Sequence, residues 1–420
     1  MTEGRQTTAS APADFAASTG HDRAADIAAL TIGGAGLAVS LAMLLVWWEA
    51  LRGVPPANSD FVSYYIGSAL FGTGQSPYDR SAELALRASL TGLPAAPADM
   101  LYFLYPPVFL VVMLPLAALG LQEASLIWGL FQLGALVGTC WVLYRHLPSW
   151  RWGAVLCWLP FWLPVAAALK FGQVSVFLSL GLVLFATAAS GTKPWSGVAT
   201  WLLLPKPQLI LLPAFVLLIG RRWRPLLLLA VGCVGSVVAS VALVGVDGIA
   251  AYLASISWAG DQMALNLMWR ASTYSWEALL VSTSEWERPL LVVSDGLTAV
   301  VWLALWRRWG LKEAAGAVGF AGVLVSPHAM IYDLCLWLAA LPAITRRRAR
   351  TAVPLLVGSL ATPWLANGLL GQTWPAVLWA ALSLVVLLLT KPRPSGGPAA
   401  EVNSVPTVTG FCGCPGGQQS

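Results

Sequence analysis

Asp60 stands in the stretch NSDFVSYYIGSALFGTGQSPYD (residues 58–79), immediately beyond the first long apolar run. A carboxylate beside apolar and aromatic residues at a membrane boundary is partly desolvated, which raises its pKa. Such a group suits a general base that takes a proton from a hydroxyl. The plainer alternative is a solvated loop aspartate or the N-cap of the following helix. Tyr64 and Tyr65 offer aromatic faces on which a sugar can stack, and Asp79 closes the stretch at a turn containing Pro77.

Lys206 lies between two prolines in the otherwise apolar stretch 198–220. An ionisable residue at such depth is costly and points to a function. Its natural partner is an anion, either a lipid phosphate or a carboxylate such as Asp60 or Asp333; the alternative is a lysine snorkelling to the interface. Lys170, at the end of its span, reads as snorkelling. His328 follows Pro327 and precedes Tyr332 and Asp333, where an imidazole can bind phosphate or a sugar hydroxyl, or simply brace a turn. Gln173 and Gln208 are amides at the ends of apolar runs, suited to hydroxyl recognition or to capping a helix. A phosphate-cradling Gly-rich loop, HExxH, paired CxxC motifs and a DxD metal signature are all missing from the sequence. No metal or cofactor is therefore expected, and a donor would be lipid-borne rather than a metal-bound nucleotide sugar.

These residues need a scaffold, and the composition says which kind. Of 420 residues, 58% are hydrophobic and only 10% charged, with a mean hydropathy of +0.72. Uncharged runs such as 28–48 and 351–390 reach the roughly 20 residues needed to cross about 30 Å of hydrocarbon. The runs are continuously apolar rather than alternating, so the spans are helices and the fold class is an all-α polytopic membrane protein. Residues 1–27 read as a flexible cytoplasmic tail, 28–390 as the transmembrane domain and 391–420 as a disordered cytoplasmic tail.

The net charge of +5 is sorted by loop. Basic clusters at 145–151, 221–224, 307–312, 346–350 and 391–393 belong in the cytoplasm by the positive-inside rule. Their position in short loops between spans excludes a nucleic-acid surface. This sorting gives about twelve crossings, with a long extracytoplasmic first loop over 53–105 in which 63–71 forms an amphipathic interfacial helix. The Pro-rich segment 105–120 is read as re-entrant. Four polar islands then join the first loop on the outer face: KFGQ (170–173), PKPQ (205–208), the loop 247–288, and SPHAMIYD (326–333). Cys412 and Cys414, in a Gly-Pro-rich tail, carry no argument.

Taken together, the islands resemble glycosyltransferase family 87 of the membrane-embedded GT-C superfamily. The matching residues are Asp60-Phe61 with Tyr64-Tyr65, Pro77-Tyr78-Asp79, Tyr105-Pro106-Pro107, Gly172-Gln173, Lys206-Pro207-Gln208, and Ser326-Pro327-His328 with Tyr332-Asp333. GQVS stands where the family pattern reads GQVN, so Ser175 offers a hydroxyl in place of an amide. The resemblance implies a GT-C-type bundle and a polyprenyl-phosphate-mannose-dependent α-mannosyltransferase. It implies an acceptor that is a lipid-linked glycan, and a multi-pass protein of the plasma (inner) membrane whose active site faces outward. It also implies an inverting displacement with Asp60 as base, and a substrate site formed by Tyr64, Tyr65, Gln173, Lys206, Gln208, His328, Tyr332 and Asp333. A competing reading is a polytopic transporter with Lys206, Asp60 and Asp333 as its coupling site, but no inverted repeat is apparent. An inactive assembly factor is a third, against which the presence of Asp60 argues.

Overall fold

The computed structural model describes residues 13–53, 55, 59–92, 102–189, 193–265, 272–280, 286–326 and 328–393. Pro327, Arg270, Cys412, Cys414 and the expected tail beyond Arg393 lie outside the described residues. Among the described residues the chain is helical, with no strand. In order the helices are α1 (Ala13–Leu51), α2 (Asp60–Gly72), α3 (Arg80–Thr91), α4 (Phe109–Ala117), α5 (Leu121–His146) and α6 (Gly153–Leu156). There follow α7 (Leu163–Phe171), α8 (Ser175–Ala188), α9 (Trp195–Ala199), α10 (Leu211–Ile219), α11 (Trp223–Leu265) and α12 (Trp276–Leu280). The last are α13 (Glu287–Trp309), α14 (Leu311–Val325), α15 (Leu341–Thr345), α16 (Ala349–Trp364) and α17 (Trp374–Leu389).

Four of these are long and apolar enough to cross a membrane: Arg23–Leu51 within α1, α5, Trp223–Gln262 within α11, and α13. Other apolar helices are shorter, among them α8 and α17. The long helices turn large apolar side chains outward, such as Leu30, Leu45 and Val46 of α1 and Val292 and Val300 of α13. Such exposure is expected where the surrounding solvent is hydrocarbon.

The structure differs from the sequence reading at three places. First, α1 begins at Ala13, inside the expected flexible tail. Second, the expected interfacial amphipathic helix begins at Asp60 and is buried on every face from Asp60 to Ser68. Tyr64, Tyr65 and Ser63 find their hydrogen-bond partners on other elements rather than in water. Third, the expected loop from 247 is largely helix, because α11 continues to Leu265 with a bend at Gly245, where φ is 69°. By contrast α4, at nine residues, is about 13 Å long and too short to cross.

Three buried contacts fix the first loop. Glu83 pairs with Arg87 at 2.9 Å within α3. Arg87 also donates to Ser63 Oγ of α2 at 2.9 Å, and Glu83 accepts from the Phe103 amide at 3.1 Å. Elsewhere α14 packs face to face on the 3-10 helix Ile331–Ala340. A Cβ added at Gly319 would come within 2.0 Å of the Leu336 carbonyl oxygen, so the two backbones touch there as small residues allow. This contact sets the height of Asp333 at the start of the 3-10 helix. At the other end of the bundle Glu313 pairs with Arg346 at 2.7 Å and with Arg347, and Arg151 pairs with Asp26 at 2.7 Å.

Candidate active site

Three of the polar islands, 170–173, 205–208 and 326–333, meet the first loop at the start of α2. Ser59 caps this helix, its hydroxyl accepting from the Val62 amide, so Asp60 at the first helical position is not itself the cap. Instead Asp60 is 8% exposed and hydrogen-bonded by the Gln173 side chain, with Lys206 and Asp333 close enough to act on its charge. Burial pushes the Asp60 carboxyl up to about 7; the Gln173 bond and the Lys206 ammonium pull it down, and Asp333 pushes it further up. A carboxylate poised near neutrality can accept a proton and later give it up.

Gln173 is the hub. Its Oε1 lies 3.1 Å from Tyr64 Oη and 3.3 Å from Tyr105 Oη, while the two hydroxyls are 2.8 Å apart. Its side chain also bonds Asp60 and Tyr332. The backbone beneath it is held by Gln132 Nε2, which donates to the Gln173 carbonyl at 2.8 Å, and by Trp128 Nε1, which donates to that of Gly172 at 2.7 Å. Gly172 ends α7 in the left-handed region (φ 68°), and a Cβ there would meet Phe61 Cβ at 2.5 Å. Glycine is thus required on both counts, and its contact sets Gln173 against Asp60.

Lys206 sits in the turn between the 3-10 helices Thr200–Leu203 and Pro207–Ile210. The two prolines break the apolar stretch there and leave the side chain pointing at Asp333, with Nζ 2.6 Å from Oδ1 and 2.8 Å from Oδ2. The ammonium also lies 5.1 Å from the Tyr332 ring centroid. Asp333 further accepts from Ser175 Oγ at 2.7 Å and from the Met330 amide at 3.1 Å. Of the partners open to Lys206 in the sequence, the structure selects Asp333.

The cluster therefore contains Asp60, Tyr64, Gln173, Lys206, Tyr332 and Asp333. Three expected members stand apart from it. Tyr65 donates its hydroxyl to the Leu119 carbonyl at 2.7 Å, and Gln208 is exposed on the following turn. His328 is exposed in a turn, beside the buried Ala329. Tyr105, known only as part of a motif, proves to be a hydroxyl of the cluster, and Ser175 anchors Asp333 where the family pattern has an amide. Asp79 instead caps α3, its carboxylate accepting from the Ser81 and Ala82 amides.

A buried carboxylate beside a fixed ion pair, walled by aromatic hydroxyls within apolar helices, is a site in a membrane-embedded protein where a proton can be held away from bulk water. The sequence model of glycosyltransferase family 87 matches residues 103–327, just over half of the chain, and the chain belongs to that family. Asp60 and residues 328–333 fall outside the matched region, so their placement in the site is a matter of geometry. The chain is 28% identical over 297 residues to the polyprenol-phosphate-mannose-dependent alpha-(1-2)-phosphatidylinositol pentamannoside mannosyltransferase of Mycolicibacterium smegmatis, covering 65% of this chain and 67% of that protein. It is 26% identical over 323 residues to the protein of the same name from Mycobacterium tuberculosis, covering 68% and 71%. No solved structure matches it significantly.

Proposed function

We propose that the chain is an inverting mannosyltransferase that moves a mannosyl unit from polyprenyl-phosphate-mannose to a lipid-linked glycan at the outer face of the plasma membrane. The observation that carries this reading is the buried Asp60 carboxylate, held by Gln173 beside the Lys206–Asp333 pair. In the reaction Asp60 takes the proton of an acceptor hydroxyl, and the acceptor oxygen forms a bond to C1 of the donor sugar. The C1–O bond to phosphate breaks, and polyprenyl phosphate leaves with the electron pair. Attack opposite the leaving group inverts C1, so an α-linked product requires a β-linked donor. Gln173, Tyr64 and Tyr332 orient the sugar, and Lys206 and His328 stabilise the charge that develops on the phosphate. Gln208, exposed near Lys206, lies at the edge of the expected substrate site, and Tyr65 braces it from behind through its bond to the Leu119 carbonyl. Nothing in this scheme calls for a metal or cofactor.

An adjacent cavity of about 700 Å³ supports a lipid-borne substrate. Its walls are largely apolar, including Trp47, Leu163, Leu169 and Ile331; Lys170 lies at one side, and Ser59 and Phe61 flank Asp60. In the same reading the shorter apolar helices supplement the four long ones to give about twelve crossings. The first loop then lies outside and both termini inside. The direct test is to incubate the purified protein with polyprenyl-phosphate-mannose and phosphatidylinositol mannosides. Mass spectrometry is expected to find one added hexose, and proton NMR an α linkage. A β-linked product would rule out inversion from a β donor, and no transfer to any glycolipid would remove the proposal.

A further inference from the structure

A second cleft of about 700 Å³ opens where α3 meets the part of α11 beyond Gly245. Its lining includes Tyr78, Asp79, Arg80, Tyr102, Ser255 and Trp258. The Arg80 guanidinium lies 4.2 Å from the Trp258 ring centroid. Tyr102 meets the same indole edge-on, with ring centroids 5.2 Å apart. Asp79 uses Oδ1 for all of its capping bonds, accepting from Ser81 N at 2.9 Å, Ser81 Oγ at 2.7 Å and Ala82 N at 3.2 Å. Asp79 is exposed, and its Oδ2 accepts no hydrogen bond from the described residues. Those bonds, the Ser81 hydroxyl foremost, hold the Asp79 carboxyl below its ordinary value, so it stays ionised at neutral pH.

The chemistry of the cleft selects its ligand. One carboxylate and one guanidinium sit side by side, so the lining carries no net charge from this pair and gives no preference to an anion. Donors and acceptors are both on offer beside aromatic rings, as a ligand with many hydroxyls and apolar C–H faces requires. The cleft is also joined to the active site. Tyr78, at its floor, donates its hydroxyl to the Tyr105 carbonyl at 2.8 Å, and the Tyr105 hydroxyl lies in the Gln173 cluster.

We propose that this cleft is a glycan-binding subsite, holding neutral sugar units of the acceptor beyond the one whose hydroxyl faces Asp60. The proposal rests on the glycolipid-acceptor reading above and adds to it the place where the rest of the glycan lies. Trp258 and Tyr102 supply the stacking surface, and Asp79 Oδ2 and Arg80 Nη the hydrogen bonds. Bound there, the glycan fixes which hydroxyl reaches the base.

The probes are linear α-mannotetraose and mannose, titrated calorimetrically into the full chain in nanodiscs. Wild type and Asp60→Asn are expected to bind the tetraose at least tenfold tighter than mannose. Arg80→Gln should weaken tetraose binding by about tenfold, as loss of a charged hydrogen bond does, and Trp258→Leu by about as much through loss of the aromatic face, with mannose binding unchanged. With a glycolipid acceptor the same variants should raise KM and leave kcat. Arg80 is exposed, so Arg80→Gln decides the matter if Trp258→Leu fails to fold. Tetraose that binds no tighter than mannose, or equally well to Arg80→Gln, overturns the subsite. Cleft-dependent binding without any transfer overturns the transferase reading and leaves the cleft standing; normal transfer with no such binding does the reverse.

Discussion

Asp60 is held among partners that act on its proton in opposite directions, and burial prevails. Its carboxyl, at about 7 in the folded protein, releases its proton near 4 in an unfolded chain. Between those values the folded state binds more protons, so this group contributes less to stability as pH rises. The basic form is populated above 7. Transfer should therefore rise about tenfold per pH unit below 7 and level off above it; a steady-state profile that is flat from pH 5 to 8 would exclude Asp60 as the titrating base. The Lys206–Asp333 pair makes a separate prediction. Lys206→Ala leaves a buried carboxylate unpaired and should cost about 3–5 kcal/mol, read by chemical denaturation. A double change, Lys206→Met with Asp333→Leu, should restore much of the stability and none of the turnover. Lys206→Ala with wild-type stability would mean that the pair is not coupled to the fold.

The turn joining α7 to α8 shows how an element sets the site. Gly172 is in left-handed geometry and in contact with Phe61, the residue after Asp60. Gly172→Ala should lose about 1–3 kcal/mol from backbone strain, and more turnover than stability because the start of α2 must move. Melting temperature and kcat of the purified variant test this, and wild-type values in both would refute it. Gly172 and Gln173 were legible as a motif, and Asp60, Lys206 and Asp333 stood out because each is a lone charge in an apolar setting. What could not be read was which neighbour each would face. Tyr64 and Tyr65 are consecutive on a helix and so point about 100° apart; only packing sends one to Gln173 and the other to Leu119. Ser175 and Tyr105 gain their roles from partners 158 and 68 residues away. Polar residues at 247–265 suggested a loop, yet Tyr252 and Trp258 lie on a helix whose side chains meet Tyr78, Tyr102 and Arg80.

On the scale of the whole molecule, the polar islands and the basic clusters gather separately. The first loop, 170–173, 205–208 and 326–333 share the Asp60 cluster, and Tyr274 of the fourth island donates its amide to the Ala329 carbonyl at 2.6 Å. Glu313 joins the basic clusters around 312 and 346, and the Arg393 amide donates to the Arg346 carbonyl at 2.7 Å. With the positive-inside rule, Ser81→Cys and Gly260→Cys, in a background without native cysteines, should react with an impermeant thiol reagent added to intact cells. Arg308→Cys and Arg348→Cys should not. Labelling of Arg308→Cys from outside would reverse the orientation of the active site. The central claim is that Asp60 is the base of a mannosyl transfer, and Asp60→Asn tests it most directly by keeping the shape of the side chain while removing its basicity. Turnover with polyprenyl-phosphate-mannose and a phosphatidylinositol mannoside should fall by roughly 10²–10⁴-fold, with donor affinity nearly unchanged and no loss of melting temperature at pH 8. A folded Asp60→Asn protein that transfers mannose at near the wild-type rate would contradict it.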